Sequence, residues 1–298
     1  EEYRDAADEL RDLITGEDDA LLTDAMYAAQ ANQLDQLADN NVMDLKVYRL
    51  VYDQTEKTLA MAAQTQLASY HQLLMNLETL QKNRILLEKV SEITEAQYGV
   101  GMASYLDVIS AKKSVLTIDA TIQELETSIK NLKQNLCVML GWKYDAKPEI
   151  MEIPAPDMDR ITEMNPTEDV KTALENNYTL RMNKQKLENA EGLYTKQSLE
   201  NTIRDNEQKI STALETDYRA VLQAQTALEE AESQLETEQT KLNVAAEMYK
   251  VGTASSLAYM QQEAATFAQE QAVKQAEIQF FMAMETYDWD VRGMASAQ

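Results

Sequence analysis

Apolar residues recur every seven positions in one stretch of the chain, along two parallel series. The first series is Val108, Val115, Ile122, Ile129 and Leu136, and the second, three positions later, is Ala111, Ile118, Leu125, Leu132 and Met139. Five consecutive heptads with both seam positions apolar predict a coiled-coil helix over about 106–140. The run stops at Gly141, which predicts a helix C-terminal glycine at that position.

A second heptad pattern occupies residues 203–249. Its apolar positions are Leu214, Val221, Leu228, Leu235, Leu242 and Tyr249, and Ala224, Ala231 and Ala245 add small residues beside them. A helix of this length cannot fold back into a globule, so it must pack lengthwise against a partner. Small seam residues favour a close approach of that partner.

The remaining chain also has helical patterns. Leu59, Leu73, Leu80 and Leu87 lie on one face of a predicted helix over 57–97. The range 258–291 predicts a helix rich in Ala and Gln, whose weak seam indicates partly polar surroundings on more than one side. Further helices are predicted over about 20–50 and 167–200. All four prolines fall within the intervening 141–167, which predicts a connector with short structure of its own.

One short motif occurs twice. Tyr98-Gly-Val-Gly-Met-Ala-Ser-Tyr-Leu106 returns as Tyr249-Lys-Val-Gly-Thr-Ala-Ser-Ser-Leu257, each time between two long helical patterns. Repetition within one chain indicates one supersecondary unit used twice. Here the unit is a helical hairpin, and Gly101 and Gly252 supply backbone angles closed to other residues. A plain turn remains an alternative explanation, although a turn alone would not require Val, Ala, Ser and Leu to recur beside the glycine.

Composition narrows the possible functions. The 298 residues carry a net charge of −24, which disfavours nucleic acid as a partner and also argues against docking on anionic lipid. A single Cys and a single His exclude an intrachain disulfide and make a metal cluster or a His-based triad implausible. We therefore predict no catalytic, cofactor-binding or metal-binding residues. His71 and Cys137 are expected in packing roles, and Trp142 and Trp289 as anchors of helix ends.

The duplicated tips resemble the repeat of TolC-type outer-membrane efflux proteins. The resemblance lies in Tyr-x-x-Gly-x-x-Ser-x-Leu followed by Asp107-Val108-Ile109, in Leu140-Gly141, and in Ala173-Leu174-Glu175-Asn176-Asn177. It covers roughly 55–142 and 168–293. It implies an α-barrel protomer: three chains, each giving two hairpins, would form a hollow helical barrel in the cell envelope. The tips would contact a periplasmic adaptor protein, which works with an inner-membrane transporter.

The resemblance also implies site residues. The adaptor-docking tips would be Tyr98, Gly101, Ala103, Ser104 and Leu106, together with Tyr249, Gly252, Ala254, Ser255 and Leu257. Family members often place carboxylates just after the second tip, where they constrict the pore. The aligned positions here are Ala258 and Gln261, whereas Asp107 stands at the first tip. A charged constriction at the second tip is therefore not expected.

One further departure concerns two ranges, about 41–56 and 192–203. Family members insert a pair of membrane strands there, and this sequence shows only what we interpret as short linkers. The chain then corresponds to the helical part alone, either as a naturally reduced relative or with the strands removed. It begins at Glu1 without Met and shows no signal peptide, which we interpret as a processed or trimmed product of an exported protein.

These patterns predict an all-α chain of two repeated long antiparallel coiled-coil hairpins with a short irregular connector. We expect one elongated helical domain, 1–298, with repeats at about 20–142 and 166–293 and the connector at 141–167. The function expected from the resemblance is that of an envelope conduit component acting as a homotrimer. An exported coiled-coil scaffold or surface-binding protein that forms no channel is the alternative, and an enzyme is a distant third.

Overall fold

The computed structural model describes residues 2–14, 21–40 and 42–297, in which helices are joined by turns and an irregular connector and no strand occurs. Its helices are α1 Glu2–Asp12, α2 Leu21–Asn40, α3 Leu45–Gly99, α4 Tyr105–Met139, α5 Asp159–Glu163, α6 Pro166–Asn176, α7 Tyr178–Asn189, α8 Leu193–Lys250 and α9 Ser256–Trp289. A single π-helical turn, Asp290–Met294, follows α9. Among these described helices, none combines the length and the apolar character needed to cross a membrane.

The helices divide between two compact units. Unit 1 comprises Glu1–Thr58, Asn165–Thr216 and Asp288–Gln298, and unit 2 comprises Leu59–Met164 and Asp217–Tyr287. Each unit therefore combines segments from both halves of the sequence. The 55 residues of α3 and the 58 residues of α8 would measure about 82 and 87 Å at 1.5 Å per residue.

Unit 2 contains two antiparallel hairpins. In the first, α4 returns along α3, and ion pairs join Arg84 to Asp119 and Glu95 to Lys112. In the second, α9 returns along α8: Gln269 donates to the Ala231 carbonyl at 3.0 Å, and Gln262 donates to the Glu238 carboxylate at 2.7 Å. In both pairs the residue number rises on one helix as it falls on the other. The predicted fold class is confirmed.

Burial confirms the predicted seams. Val108, Ile122 and Leu136 are buried along α4, and the other members of its two apolar series are half-buried. On α8 the buried members are Leu214, Val221 and Leu228, whereas Leu235 and Leu242 are half-buried. The half-buried members of both series indicate that one chain alone leaves part of each apolar stripe in contact with water.

Helix α9 is the best-buried helix described in unit 2, and it packs against α3 as well as α8. Gln271 donates to Glu78 at 3.2 Å, and Lys82 pairs with Glu263 at 3.1 Å. Phe280 and Tyr287 are buried on the same helix. The Ala- and Gln-rich composition of this range therefore reflects contacts on two sides, as the weak seam predicts, with amide side chains satisfying polar partners in both neighbours.

Unit 1 joins the beginning of α3 to α7 in an antiparallel pair. Gln185 donates to Asp44 at 3.2 Å, and Gln54 to Thr179 at 3.4 Å. The last residues of the chain also pack here, because Asn177 is buried and donates to the Ala295 carbonyl at 2.9 Å.

Three helix boundaries differ from the sequence-based expectation. The ranges 41–56 and 192–203, interpreted as linkers, are helical from Leu45 and from Leu193 onward. The helix predicted over 167–200 is interrupted at Asn177 and at 190–192. The helix predicted over 20–50 is interrupted before Leu45, and positions 20 and 41 of that range lie outside the described residues. Side-chain caps cause two of these breaks: Asp44 accepts from the Val47 N–H, and Asn177 from the Leu180 N–H.

The connector runs from Gly141 to the start of α6 and contains the short helix α5, as predicted. Its extended part lies against α3, where the buried ring of His71 donates through Nε2 to the Met151 carbonyl, 3.0 Å away. Cys137 is buried, with its Sγ 3.8 Å from the Ala146 carbonyl. Both residues therefore have the packing roles that the sequence suggests.

Candidate functional site at the two hairpin tips

The first tip is built by one glycine that ends α3. Gly101 has a φ of +77°, in the left-handed region that favours glycine. Its N–H donates to the Tyr98 carbonyl at 3.0 Å, and the next N–H, of Met102, donates to the Gln97 carbonyl at 2.8 Å. This pair of bonds is the Schellman motif, which satisfies carbonyls at a helix C-terminus that would otherwise lack partners.

The second tip repeats this geometry. Gly252 has a φ of +79°, and its N–H donates to the Tyr249 carbonyl at 3.0 Å. The N–H of Thr253 donates to the Met248 carbonyl at 2.8 Å. The two glycines of the duplicated motif thus end their helices with nearly identical backbone geometry.

The serine of each motif starts the return helix. Ser104 accepts from the Asp107 N–H at 3.2 Å, and Ser255 accepts from the Ala258 N–H at 3.1 Å. Both serines are therefore N-caps. Two residues lie between the glycine and the serine in each repeat, so the reversal of the chain has the same length in both hairpins.

Asp107 makes the first tip different from the second. Its carboxylate accepts from the Ser104 N–H at 2.8 Å and from the Ser104 hydroxyl at 2.7 Å, which completes a reciprocal capping box. These bonds, chiefly that of the hydroxyl, hold the pKa of Asp107 below its usual value. Ala258 occupies the matching position in the second tip and offers no carboxylate.

The tyrosines of the motif support the tips from the side. The ring of Tyr249 stacks on that of Tyr259, with centroids 5.5 Å apart, and the ring of Tyr98 lies tilted against Tyr105 at 6.0 Å. Each pair joins the end of one helix to the start of the next. Contacts of this kind stabilise a turn beyond the area they bury.

The tips carry large apolar side chains that face water. Val100, Met102 and Val251 are 72%, 78% and 70% exposed, and Tyr105 and Leu106 are also exposed. Isolated exposed apolar residues are ordinary, but a concentration of them at the end of a hairpin is typical of an interaction surface.

Both tips lie at the same end of unit 2. On α3 and α9, Gln64 contacts Glu285, Glu78 contacts Gln271 and Lys82 contacts Glu263. The residue number falls on α9 about as fast as it rises on α3, so the register brings the end of α3 beside the start of α9. The two turns therefore stand next to each other, at nearly the same level.

The residues predicted for the site take three kinds of position. Gly101, Gly252, Ser104 and Ser255 form the backbone turns and caps, whereas Ala103 and Ala254 are half-buried inside them. The side chains available to a partner are those of Tyr98, Tyr249 and Leu106, with Leu257 half-buried; Asp107, Ala258 and Gln261 are exposed on the return helices.

Sequence reasoning missed part of this surface. Val100, Met102 and Val251 are among the most exposed apolar residues of the tips, although they lie inside the duplicated motif. Val100 and Val251 recur at the matched position, which is the signal that could have identified them. The Ser104-x-x-Asp107 spacing of a cap was equally readable from the sequence.

Solved structures resemble this fold. The outer membrane protein VceC from Vibrio cholerae matches 91% of this chain and 77% of its own, with a TM-score of 0.57 at 12% identity. CusC, a protein that forms a transmembrane channel, matches 99% of this chain and 92% of its own, with a TM-score of 0.52 at 13% identity. The outer-membrane channel OprN matches 91% and 73%, with a TM-score of 0.51 at 14% identity.

These likenesses show the fold: the chain has the helical-hairpin architecture of outer-membrane channel proteins. No protein-family model matches the sequence, and no curated protein matches it significantly. Within the described part of the chain, no three His, Cys, Asp or Glu side chains are grouped so that they could hold a metal ion.

Proposed function

We propose that this chain is a TolC-like conduit component of a tripartite efflux or secretion system in the cell envelope. Three copies would assemble into a hollow helical barrel, and the ring of six tips would dock a periplasmic-adaptor-type protein that works with an inner-membrane transporter. The chain itself performs no chemistry. It supplies a passage and a docking surface.

The observation that carries the proposal is the pair of matched tips. Two hairpins end side by side in the same capped turn, and each presents exposed apolar side chains, led by Val100 and Val251. A scaffold needs the turn, but it does not need the same side chains to be exposed on both. The fold shared with outer-membrane channel proteins supports the same conclusion.

Exposed apolar residues along the helices support assembly of several copies. Ile109 and Leu116 lie seven residues apart on α4, and Val244 lies on α8; all three are exposed in the single chain. A second copy packed lengthwise would cover such a stripe, because seven-residue spacing keeps both residues on one side of a helix.

Docking is tested by replacing the exposed tip residues. The double variant Val100→Glu, Val251→Glu puts a charge at both tips and should lower affinity for a periplasmic-adaptor-type protein by at least about tenfold, because charges are unfavourable at interface cores. The matched control is Met151→Glu, since Met151 is equally exposed but lies in the connector. Binding is measured by interferometry on immobilised adaptor.

The tip backbone is tested with a second pair of variants. Gly101→Val should also weaken docking, whereas Gly141→Val should not, although Gly141 has a φ of +76° and ends α4 in the same Schellman geometry. Both changes introduce the same backbone strain. Equal adaptor binding by wild type and tip variants, or a gene neighbourhood with neither adaptor nor transporter, would favour the scaffold alternative.

A further inference from the structure

A cavity lies in unit 2 where the connector crosses the groove between α3 and α9. It measures about 490 Å³, within the roughly 300–1,000 Å³ that is usual for small-molecule sites. Its walls are formed by α3, by α9 and by connector residues between 150 and 155, all of which belong to unit 2. We call this space the connector cavity.

Two hydrogen bonds tie the walls of the connector cavity together. The face of α3 that lines it begins at His71 and ends at Glu78, about two helical turns later. His71 Nε2 donates to the Met151 carbonyl at 3.0 Å, which holds the connector against α3. The side-chain amide of Gln271 donates to the Glu78 carboxylate at 3.2 Å, which joins α9 to α3. The cavity is therefore bounded by three connected elements.

Much of the wall of the connector cavity is apolar. Leu74 and Met75 of α3, Ile150 and Ile153 of the connector, and Ile278 of α9 all line it. Ile278 is buried, and the other four are half-buried. Aliphatic side chains from three sides favour a ligand with an apolar body, because its contact with them removes apolar surface from water.

The charged residues of the wall are mainly acidic. Glu78, Glu152 and Glu277 line the cavity, and Lys274 is the one lysine or arginine among the described lining residues. Within the described part of the chain, Glu152, Glu277 and Lys274 form neither an ion pair nor a hydrogen bond through their side chains. Three carboxylates against one ammonium leave two negative charges, or one if His71 is protonated. The wall therefore has an acidic excess in either state of the histidine.

Neighbouring cations do not cancel this excess. Lys82, one turn beyond Glu78 on α3, pairs with Glu263 at 3.1 Å. Lys133 lines an adjoining cavity, where Glu149 also stands and balances its charge. The acidic excess of the connector cavity is thus a local property and not only a consequence of the net charge of −24.

Gln271 provides an independent indication of a ligand. It lines the connector cavity, is only 3% exposed, and uses its amide nitrogen on Glu78. Its Oε1 atom has no hydrogen-bond partner within the described residues. A buried amide oxygen without a partner is unfavourable, so a ligand N–H that reached this oxygen would supply the missing hydrogen bond.

We propose that the connector cavity binds a small organic cation, in which a primary ammonium group is attached to an apolar body. The ammonium would lie near Glu152 and Glu277 and donate to Gln271 Oε1, while the apolar body would pack against the aliphatic wall. A metal ion fits less well, because no three His, Cys, Asp or Glu side chains in the described part of the chain are grouped to hold one. This inference does not rest on the proposed conduit function, because it uses none of the tip residues.

The test uses three probes of nearly the same shape and different charge: phenylbutylammonium, phenylbutanol and phenylbutanoate. His71 is the only histidine in the sequence, so the imidazole C–H signals of the full chain, labelled with isotopic histidine, report on this cavity in NMR titrations. Phenylbutylammonium should shift these signals. It should bind at least about tenfold more tightly than phenylbutanol, the scale of one hydrogen bond to a charged group. Phenylbutanoate should bind more weakly than either.

Variants of the acidic wall locate the cation. Glu152→Gln, Glu277→Gln should weaken phenylbutylammonium about fivefold, the scale of two partly exposed ion pairs, and should leave the affinity for phenylbutanol unchanged. The matched control is Glu232→Gln, Glu236→Gln, which removes two exposed carboxylates of α8 in the same unit. Because the control lowers the net charge of the chain equally, it should leave the affinity for all three probes unchanged.

Four results would overturn the proposal. Unshifted His71 signals with every probe would show that the cavity takes no such ligand. Equal affinity for phenylbutylammonium and phenylbutanol would show that the acids do not recognise the charge. Equal weakening by the wall variant and the α8 control would indicate general attraction of cations to an acidic chain. Displacement of the probe by magnesium chloride, but not by sodium chloride of the same ionic strength, would identify a metal ion as the occupant.

Discussion

At the scale of single residues, the tips combine a helix end and a helix start within four positions. A glycine in the left-handed region closes one helix, and a serine three residues later caps the next. The recurrence of glycine and serine at matched positions in both hairpins is therefore explained by the local geometry of the turn. The docking hypothesis depends instead on the exposed residues between and beside them, such as Val100 and Val251.

The serine caps can be tested individually. Ser104→Ala or Ser255→Ala should each cost about 1 kcal/mol, felt locally, because one helix N–H loses its acceptor. Amide hydrogen exchange in the first turn of α4 or of α9 should accelerate about fivefold, since exchange there follows local opening. Ser114→Ala is the control, because its hydroxyl only returns to the Ser110 carbonyl in the same helix. Unchanged exchange at both tips would refute the capping assignment.

Asp107 predicts a pH dependence confined to the first tip. Its folded pKa is lowered, mainly by the Ser104 hydroxyl and then by the Ser104 N–H. Such a group stabilises the fold above its ordinary pKa of 3.8, and that contribution is lost as pH falls through the lower folded value. Amide protection at the start of α4 should therefore decrease in acid, after correction for the intrinsic exchange rate.

The second tip supplies the control for this effect. Ala258 cannot titrate, so protection at the start of α9 should not follow the same acid transition. The variant Ala258→Asp should form a capping box at the second tip and give amide protection there the same dependence on acid pH. The variant Asp107→Ala should remove that dependence from the first tip. Identical pH profiles of the two tips in the wild-type chain would contradict this account.

At the scale of elements, the heptads and the glycines identify the long helices, while single polar caps, which the heptad pattern does not reveal, set several of their ends. The seam of α4 could be predicted because each residue repeats a spacing that only a helix turns into one face. The break at Asn177 was missed because its cap is a single local bond, in which the Asn177 side chain accepts from the Leu180 N–H; the same side chain also donates to the Ala295 carbonyl, 118 positions away in sequence. The start of α3 at Leu45 depends in the same way on Asp44, which accepts from the Val47 N–H and which the sequence pattern alone does not distinguish from other aspartates.

The candidate site divides in the same way. Gly101 and Gly252 could be assigned to turns because their role is local. The exposed surface of unit 1 that contains Leu45 and Leu193 could not be foreseen, since these residues come together only when α7 folds back along α3. Alone, each of these residues has the sequence context of an ordinary core leucine.

The C-terminal turn offers a test at this scale. Gly293 has a φ of +103°, and a Cβ at this position would lie 2.3 Å from the Asn176 carbonyl oxygen. Gly293→Ala should lower the free energy of unfolding of unit 1 by roughly 1–3 kcal/mol or more, because neither backbone segment can move away cheaply. Denaturant unfolding measures the loss. Gly99→Ala, where a Cβ meets nothing within 4 Å, should leave stability nearly unchanged.

Comparable stability of the two variants would mean that the tail does not hold Gly293 against α6. A similar loss of unfolding free energy in Gly293→Ala and in Asn177→Ala would indicate that the C-terminal turn and the α6–α7 junction form one packed region. Asn177 is buried there and bonds both the tail and the first turn of α7.

At the scale of the whole molecule, the account depends on assembly. A single chain leaves Leu116 and Val244 exposed on helices whose apolar stripes are only partly covered. Long helices that cannot bury these stripes alone favour association, as in other coiled coils. A closed ring of three copies would cover them symmetrically, and symmetric closure is the usual outcome for identical subunits.

The most direct test of the conduit is the mass of the purified 298-residue chain in solution, measured by multi-angle light scattering over a concentration series. One chain weighs 33.7 kDa, and the account predicts a limiting mass of about 101 kDa for a closed trimer. Leu116→Glu should shift the series towards the single chain. A wild-type mass of 33.7 kDa that persists to the highest concentration, in solution and with lipid present, would contradict the conduit.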